Sequence, residues 1–91
     1  MMKEIYLSTQ YKKDYKRYKH QPKKLKKLFD ILELLKKGKP IPSDNTPHTL
    51  KGRYQGCWEC HIEGDFLLIW IDEKTNIIEL VRLGSHSELF E

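Results

Sequence analysis

Six consecutive apolar residues, Phe66-Leu67-Leu68-Ile69-Trp70-Ile71, constrain this chain more than any other feature. Side chains alternate between the two faces of a strand, so a run that is apolar on both parities belongs to a central strand covered on both sides. The run is far short of the ~18 residues of a membrane span. Its neighbours supply partner strands. Across residues 53–62 one parity carries Tyr54, Gly56, Trp58, Cys60 and Ile62, and the other carries Arg53, Gln55, Cys57, Glu59 and His61. That alternation predicts a strand with one apolar and one polar face. Residues 77–83 predict a third strand, which Gly84 ends. Gly64-Asp65 and residues 72–76 are turn signals, and such short connections imply an antiparallel meander.

The first half has a different period. Residues 4–7 form a short apolar stretch that predicts an N-terminal strand, and Ser8 or Thr9 can cap a following helix. Tyr11, Tyr15 and Tyr18 recur at helical spacing, with Lys12, Lys16 and Lys19 as a parallel basic stripe. His20-Gln21-Pro22 breaks that helix, and Pro22 suits the first turn of the next. Leu25, Leu28, Leu32 and Leu35 then mark an amphipathic helix that ends at Lys36-Lys37-Gly38. Residues 38–52, with Pro40, Pro42, Pro47 and Gly52, read as a loop, and residues 85–90 as a tail with a helical turn. The expected fold is α+β: a strand, a two-helix hairpin, then a three-stranded antiparallel meander with the helices on one sheet face. Helices over the Tyr54 and Trp58 face would leave Glu59 and His61 on the other.

With 91 residues the chain is expected to be a single domain, 1–91. Its start, Met1-Met2-Lys3-Glu4, lacks the apolar core of a secretory signal, and two cysteines do not make a disulfide scaffold. A cytoplasmic protein without membrane contact is expected. The net charge of +4 conceals an asymmetry: residues 11–39 carry +9 and residues 40–91 carry −5. A basic third of this kind points to an anionic partner, most often nucleic acid, although lysine-rich helices are also simply well solvated.

Three of the four histidines lie at edges of elements in the second half: His48, His61 and His86. Glu59, Asp65 and Glu88 are nearby acids, and Arg82 ends the last strand. A meander can bring such residues to one end of the sheet. Imidazoles titrating near ~6.5, carboxylates and an arginine suit phosphodiester cleavage, where protons move and charge builds on a phosphorane. The group could also bind a metal by composition, but no H-x-x-H spacing supports this, and no metal or cofactor is expected. Cys57-Trp58-Glu59-Cys60-His61 matches the haem-attachment pattern C-x-x-C-H. On a strand, however, the two thiols point to opposite faces. Cys60 is read as core and Cys57 as incidental.

Several segments carry a resemblance: His48-Thr49-Leu50-Lys51-Gly52, Trp58 through Asp65, Leu67-Leu68-Ile69-Trp70, and Val81-Arg82-Leu83-Gly84-Ser85-His86-Ser87-Glu88-Leu89-Phe90. Together with the basic hairpin, these resemble the YafQ-type branch of the RelE superfamily of bacterial toxins over nearly the whole chain. The resemblance implies a toxin of a type II toxin–antitoxin pair that enters the ribosomal A site and cuts mRNA by metal-independent attack of the 2′-hydroxyl. It implies His48, His61, Asp65, Arg82 and His86 as active residues, with Phe90 packing against a base or the backbone. Glu59 stands where relatives carry Asp, and Phe66 where some carry Trp. Implied partners are a ribbon-helix-helix antitoxin, the ribosome and mRNA, with operator DNA reached only through the antitoxin complex. Lys12, Lys16, Lys19, Lys51 and Arg53 are the expected RNA contacts, since clustered lysines reward phosphates. Two alternatives stand beside this reading: a basic module that binds nucleic acid without cutting it, and a gyrase-poisoning toxin of the same fold.

Overall fold

The computed structural model describes residues 2–73 and 75–90; Met1, Lys74 and Glu91 lie outside the described residues. The chain opens with β1 (Glu4–Leu7) and turns at once into α1 (Thr9–Lys16). Ser8 makes that corner: its Oγ accepts from the Tyr11 N–H at 2.9 Å and donates to the Val81 carbonyl at 2.9 Å. One hydroxyl thus caps the helix and ties it to the sheet. α1 stops at Lys16, so Tyr18 and Lys19 lie in the turn beyond it rather than on one continuous helical stripe. α2 (Pro22–Lys36) starts on Pro22 and ends before Gly38, which takes φ +69°.

The loop that follows pauses at the short β2 (His48–Thr49) before β3 (Trp58–Glu63), β4 (Phe66–Asp72), β5 (Ile77–Gly84) and α3 (His86–Phe90). Among the described residues the strands form one sheet in the order β1-β5-β4-β3-β2. The meander β3-β4-β5 is antiparallel, as the short turns imply. The edges hold what the local pattern did not signal. β1 lies parallel to β5, a pairing that only the long excursion through the helices permits, and β2 adds two residues against β3.

β4 is central, and its residues 66–70 are all buried. On one side Leu28, Ile31 and Leu35 of α2 and Tyr11 of α1 pack against Cys60, Ile62, Leu68, Trp70, Ile78, Leu80 and Leu83. On the other a smaller cluster gathers Cys57, Leu67, Ile69 and Leu89, with Leu50, Tyr54, Ile71 and Val81 against it. Leu80 and Leu83 reach the same core although an odd separation should place them on opposite faces. The register shifts there: Ile69 pairs with Arg82 and Trp70 with Leu80, leaving Val81 as an extra bulged residue.

Three expectations change. Residues 53–57 are not strand. Gly52–Tyr54 is a 3-10 turn, and Gly56 takes φ +90°, so the alternation seen there does not carry Tyr54 beneath the helices. Tyr54 joins the opposite cluster instead. Trp58 is 38% exposed and stacks on Trp70 at 6.3 Å rather than being buried. Cys57 is buried in the smaller cluster rather than incidental, on the face opposite Cys60. The sheet between them keeps the pair from a shared site, and burial raises both thiols, that of Cys60 to about 12.

Candidate active site

The sheet register sets the site. His48 on β2 stands opposite Glu59 on β3, Glu59 opposite Ile69, and Ile69 opposite Arg82. In the neighbouring row His61 stands opposite Leu67, and Leu67 opposite Gly84, two residues before His86. Histidines 25 positions apart along the chain, His61 and His86, therefore meet at one end of the sheet, and His48 reaches them through Glu59. The His61 and His86 rings are 5.6 Å apart, and Phe90 packs on His86 at 5.8 Å. Glu59, His61 and His86 each bring a ligand-type atom within 4.8 Å of the others.

Hydrogen bonds assign the nitrogens. His61 Nδ1 lies 3.0 Å from the Gly64 carbonyl, which can only accept. Nδ1 therefore carries the hydrogen, and in the neutral ring Nε2 keeps its lone pair. His86 Nδ1 lies 2.8 Å from Asp65 Oδ1, and the His86 backbone N–H donates to the same oxygen at 2.9 Å. Those bonds from His86, backbone first, hold the exposed Asp65 carboxyl below its usual range. They orient the ring and leave Nε2 as its open nitrogen. His48 Nδ1 donates to the Thr46 carbonyl at 2.7 Å, and Nε2 lies 3.1 Å from Glu59 Oε1. A single proton closes that last contact, carried by either partner. Glu59 is 2% exposed, and its Oε2 has no hydrogen-bond partner among the described residues.

The turn that carries His86 is held by a capping box. The Ser85 N–H donates to Glu88 Oε1 at 2.8 Å, and the Glu88 N–H donates to Ser85 Oγ at 3.2 Å. Gly84 is required beneath it: φ is +155°, and a Cβ would sit 2.6 Å from Glu88 Oε1. Glu88 also accepts from Tyr18 Oη at 2.5 Å and pairs with Arg17 at 3.3 Å, which fastens the turn to the end of α1. Tyr18's bond, then those of Ser85, lower the Glu88 carboxyl.

Arg82 is brought to the site but held firmly. Nε donates to Asp14 Oδ2 at 2.8 Å, and Nη2 to Asp14 Oδ1 at 3.3 Å. Nη1 donates to Tyr54 Oη at 3.0 Å, and Nη2 also reaches the Glu88 carbonyl at 3.4 Å. Tyr54 passes its own hydrogen to the Leu89 carbonyl at 2.9 Å and meets Phe90 edge-on at 5.5 Å. Arg53 donates to the same carbonyl at 2.9 Å and lies 5.2 Å over the Tyr54 ring, so it braces α3 as well as bordering the site. Lys51 is exposed just before it.

Lys12, Lys16 and Lys19 are exposed. Lys12 and Lys16 border an apolar groove of about 480 Å³ lined by Leu7, Tyr11, Tyr15, Phe29 and Leu32, which shares no residue with the cluster. Part of the hairpin charge is internally paired: Lys24 and Lys27 bridge to Glu63 at 3.6 and 2.8 Å. Sequence reasoning missed Asp14 and Tyr54 as supports of the site and named Glu88 only as an acid near the histidines. Asp14 did leave a signal, an acid on the helical face that carries Tyr11, Tyr15 and Tyr18.

Residues 3–91 match the model of a family described as a bacterial toxin of type II toxin–antitoxin systems, YafQ. The mRNA interferase toxin YafQ of Escherichia coli K12 is 32% identical over 92 residues, covering 99% of this chain and 98% of that protein. YafQ in the E. coli DinJ–YafQ toxin–antitoxin complex superposes with a TM-score of 0.87 at 30% identity, with all of both chains covered. A metal-bound toxin from Helicobacter pylori superposes with a TM-score of 0.82 at 35% identity, covering 98% of this chain and 100% of that one.

Proposed function

This chain belongs to the YafQ family of bacterial type II toxin–antitoxin toxins, and from that premise we propose that it is an mRNA interferase, an endoribonuclease that cuts message in the ribosomal A site. The 2′-hydroxyl attacks the adjacent phosphate, leaving a cyclic phosphate and a free 5′-hydroxyl. One observation carries the reading: two imidazoles, each with Nδ1 held by an acceptor and Nε2 open, stand 5.6 Å apart beside a buried acid. His61 offers the Nε2 lone pair and takes the 2′-hydroxyl proton, with Glu59 next to it. His86, held by Asp65 as the imidazolium, donates its Nε2 proton to the leaving 5′-oxygen and is left neutral. Arg82 donates to the phosphorane, His48 orients the scissile phosphate, and Phe90, Lys51 and Arg53 line the path of the RNA. Asp65 works through His86 rather than as the base, because its Oδ1 already accepts two bonds from that residue.

Glu59, His61 and His86 are also donors of the type that hold a transition metal, and the buried Glu59 Oε2 is an open ligand. A bound ion would supply Lewis-acid character, but it would also occupy groups that the proton transfers need. Cleavage is therefore expected to proceed unchanged under a chelator that removes transition metals and spares the ribosome's magnesium.

Lys12, Lys16 and Lys19 serve a separate purpose, docking on ribosomal RNA through phosphate contacts that salt weakens. Reversing their charge should lower ribosome affinity, most at low salt, and flatten its dependence on salt, without changing the cleavage rate at saturation. An antitoxin of the ribbon-helix-helix type, reaching operator DNA on the toxin's behalf, and a cytoplasmic site of action complete the proposal. Single-turnover cleavage on programmed ribosomes tests it. His86→Ala should lose about 10²- to 10⁴-fold in rate while still binding, and a 2′-deoxy residue at the scissile position should block the cut. A non-catalytic binder would leave the message intact, and a gyrase poison would provoke DNA damage with intact message.

A further inference from the structure

We propose that Asp14 is a positioning residue for Arg82, fixing its guanidinium so that one Nη1–H is left for the scissile phosphate. The inference rests on the endonuclease reading above and adds a residue from a part of the chain remote from the histidines.

Asp14 is fully buried and lies on α1, 68 positions from Arg82. A carboxylate on the apolar face of a helix carries a large desolvation cost, and packing alone would favour a leucine there. Every bond that offsets the cost comes from a defined direction. Oδ2 accepts from Arg82 Nε at 2.8 Å and from the Leu83 N–H at 3.0 Å. Oδ1 accepts from Arg82 Nη2 at 3.3 Å and from Gln10 Nε2 at 3.1 Å. Burial pushes the carboxyl up, but the bonds from Arg82, Leu83 and Gln10 outweigh it and hold it below its usual value.

A guanidinium has five N–H groups in a fixed plane. In Arg82, Nε and one Nη2–H are taken by Asp14, the other Nη2–H by the Glu88 carbonyl, and one Nη1–H by Tyr54. The remaining Nη1–H has no partner among the described residues. The Asp14–Arg82 pair is formally neutral, so what Arg82 brings to a phosphorane is an aimed donor rather than a free cation. The aim is set relative to His86, because Glu88 and Leu89, whose carbonyls meet Arg82 and Tyr54, belong to the same short helix as His86. The bulge at Val81 lets Arg82 approach Asp14 while Leu80 and Leu83 stay in the core.

Single-turnover kinetics on programmed ribosomes, combined with the Arg82 Nε–H resonance in NMR spectra, test the assignment. Asp14→Asn should lower the rate at saturation by about tenfold to a hundredfold. It should leave half-saturation by ribosomes unchanged and expose the Arg82 Nε–H to fast solvent exchange. In an Arg82→Ala background it should have no further effect on rate. Asp14→Glu keeps the charge but moves it by one methylene. It is read by the same criteria if Asp14→Asn does not fold, and its spectrum establishes that it is native. A folded Asp14 variant with wild-type rate, or one that slows cleavage equally with and without Arg82, overturns the inference and leaves the endonuclease reading standing. A wild-type chain that leaves ribosome-bound message intact overturns both.

Discussion

The two faces of the sheet follow different rules. Beneath the helices, leucines and isoleucines of α2 fill a continuous apolar layer against β3, β4 and β5. The buried acid at the edge of that layer is fully bonded. On the other face the apolar cluster is small, and Glu59 is buried beside it with one oxygen unpartnered among the described residues. Native interiors seldom leave a polar atom in that condition, and where they do a functional role is a leading explanation. One face is built to be satisfied and the other keeps hydrogen-bonding capacity in reserve. The contrast teaches that the same strands can be read for stability on one parity and for chemistry on the other.

The largest expected effect comes from breaking the link between the faces. Asp14→Ala leaves the Arg82 guanidinium partly buried without its partner and should cost about 3–5 kcal/mol by urea denaturation. The same carboxyl gives a pH dependence of defined sign. Asp14 and Glu88 both lie below their usual values of 3.8 and 4.5. Carboxyls lowered by folding stabilise the native state above the unfolded values, and that contribution is lost as pH falls through the lower native ones. Stability is expected to be level down to about pH 4.5 and to decline below it. The decline should be shallower in Asp14→Asn, as thermal melts between pH 2 and 6 would show.

Next come leucines on either side of β4. Leu28→Ala and Leu67→Ala each remove a fully buried side chain and should cost about 2–5 kcal/mol in denaturation midpoints converted to free energy. Only Leu67→Ala, which lies opposite His61 in the sheet register, should also lower cleavage per folded molecule. Equal kinetic losses from both would erase the distinction between the faces. Glu88→Ala removes the capping box under His86 and should cost about 1 kcal/mol. It should also slow cleavage measurably, because the His86 turn loses its anchor to Tyr18 and Arg17. The smallest effect belongs to the exposed pair Lys26–Asp30 on α2, whose removal should change stability by less than about 0.5 kcal/mol.

Much of this was legible from residue order. The meander, the central β4, the capped α1, the proline-started α2 and the histidine–arginine set all follow from period, turn chemistry and residue type. Glu59 and His61 do share the face opposite α1 and α2, as strand parity requires, but that face is not bare, since α3 packs on it through Leu89. Alternation misled at residues 53–57, because a pattern of period two also fits a 3-10 turn followed by an irregular link. The sequence pattern assigns β1 no partner and reads residues 48–49 as loop, because parallel pairing and a two-residue bridge leave no local trace.

Sequence by itself determined the order and type of the main elements, the two long helices and the three meander strands, and which residue types could move protons, because these depend on neighbours within a few positions. Tertiary structure alone decided which nitrogen of each imidazole is open, that Asp65 serves His86, and that an aspartate of the first helix holds an arginine of the last strand. Such facts are distances between groups remote along the chain. They exist only once the apolar layers have fixed the backbone.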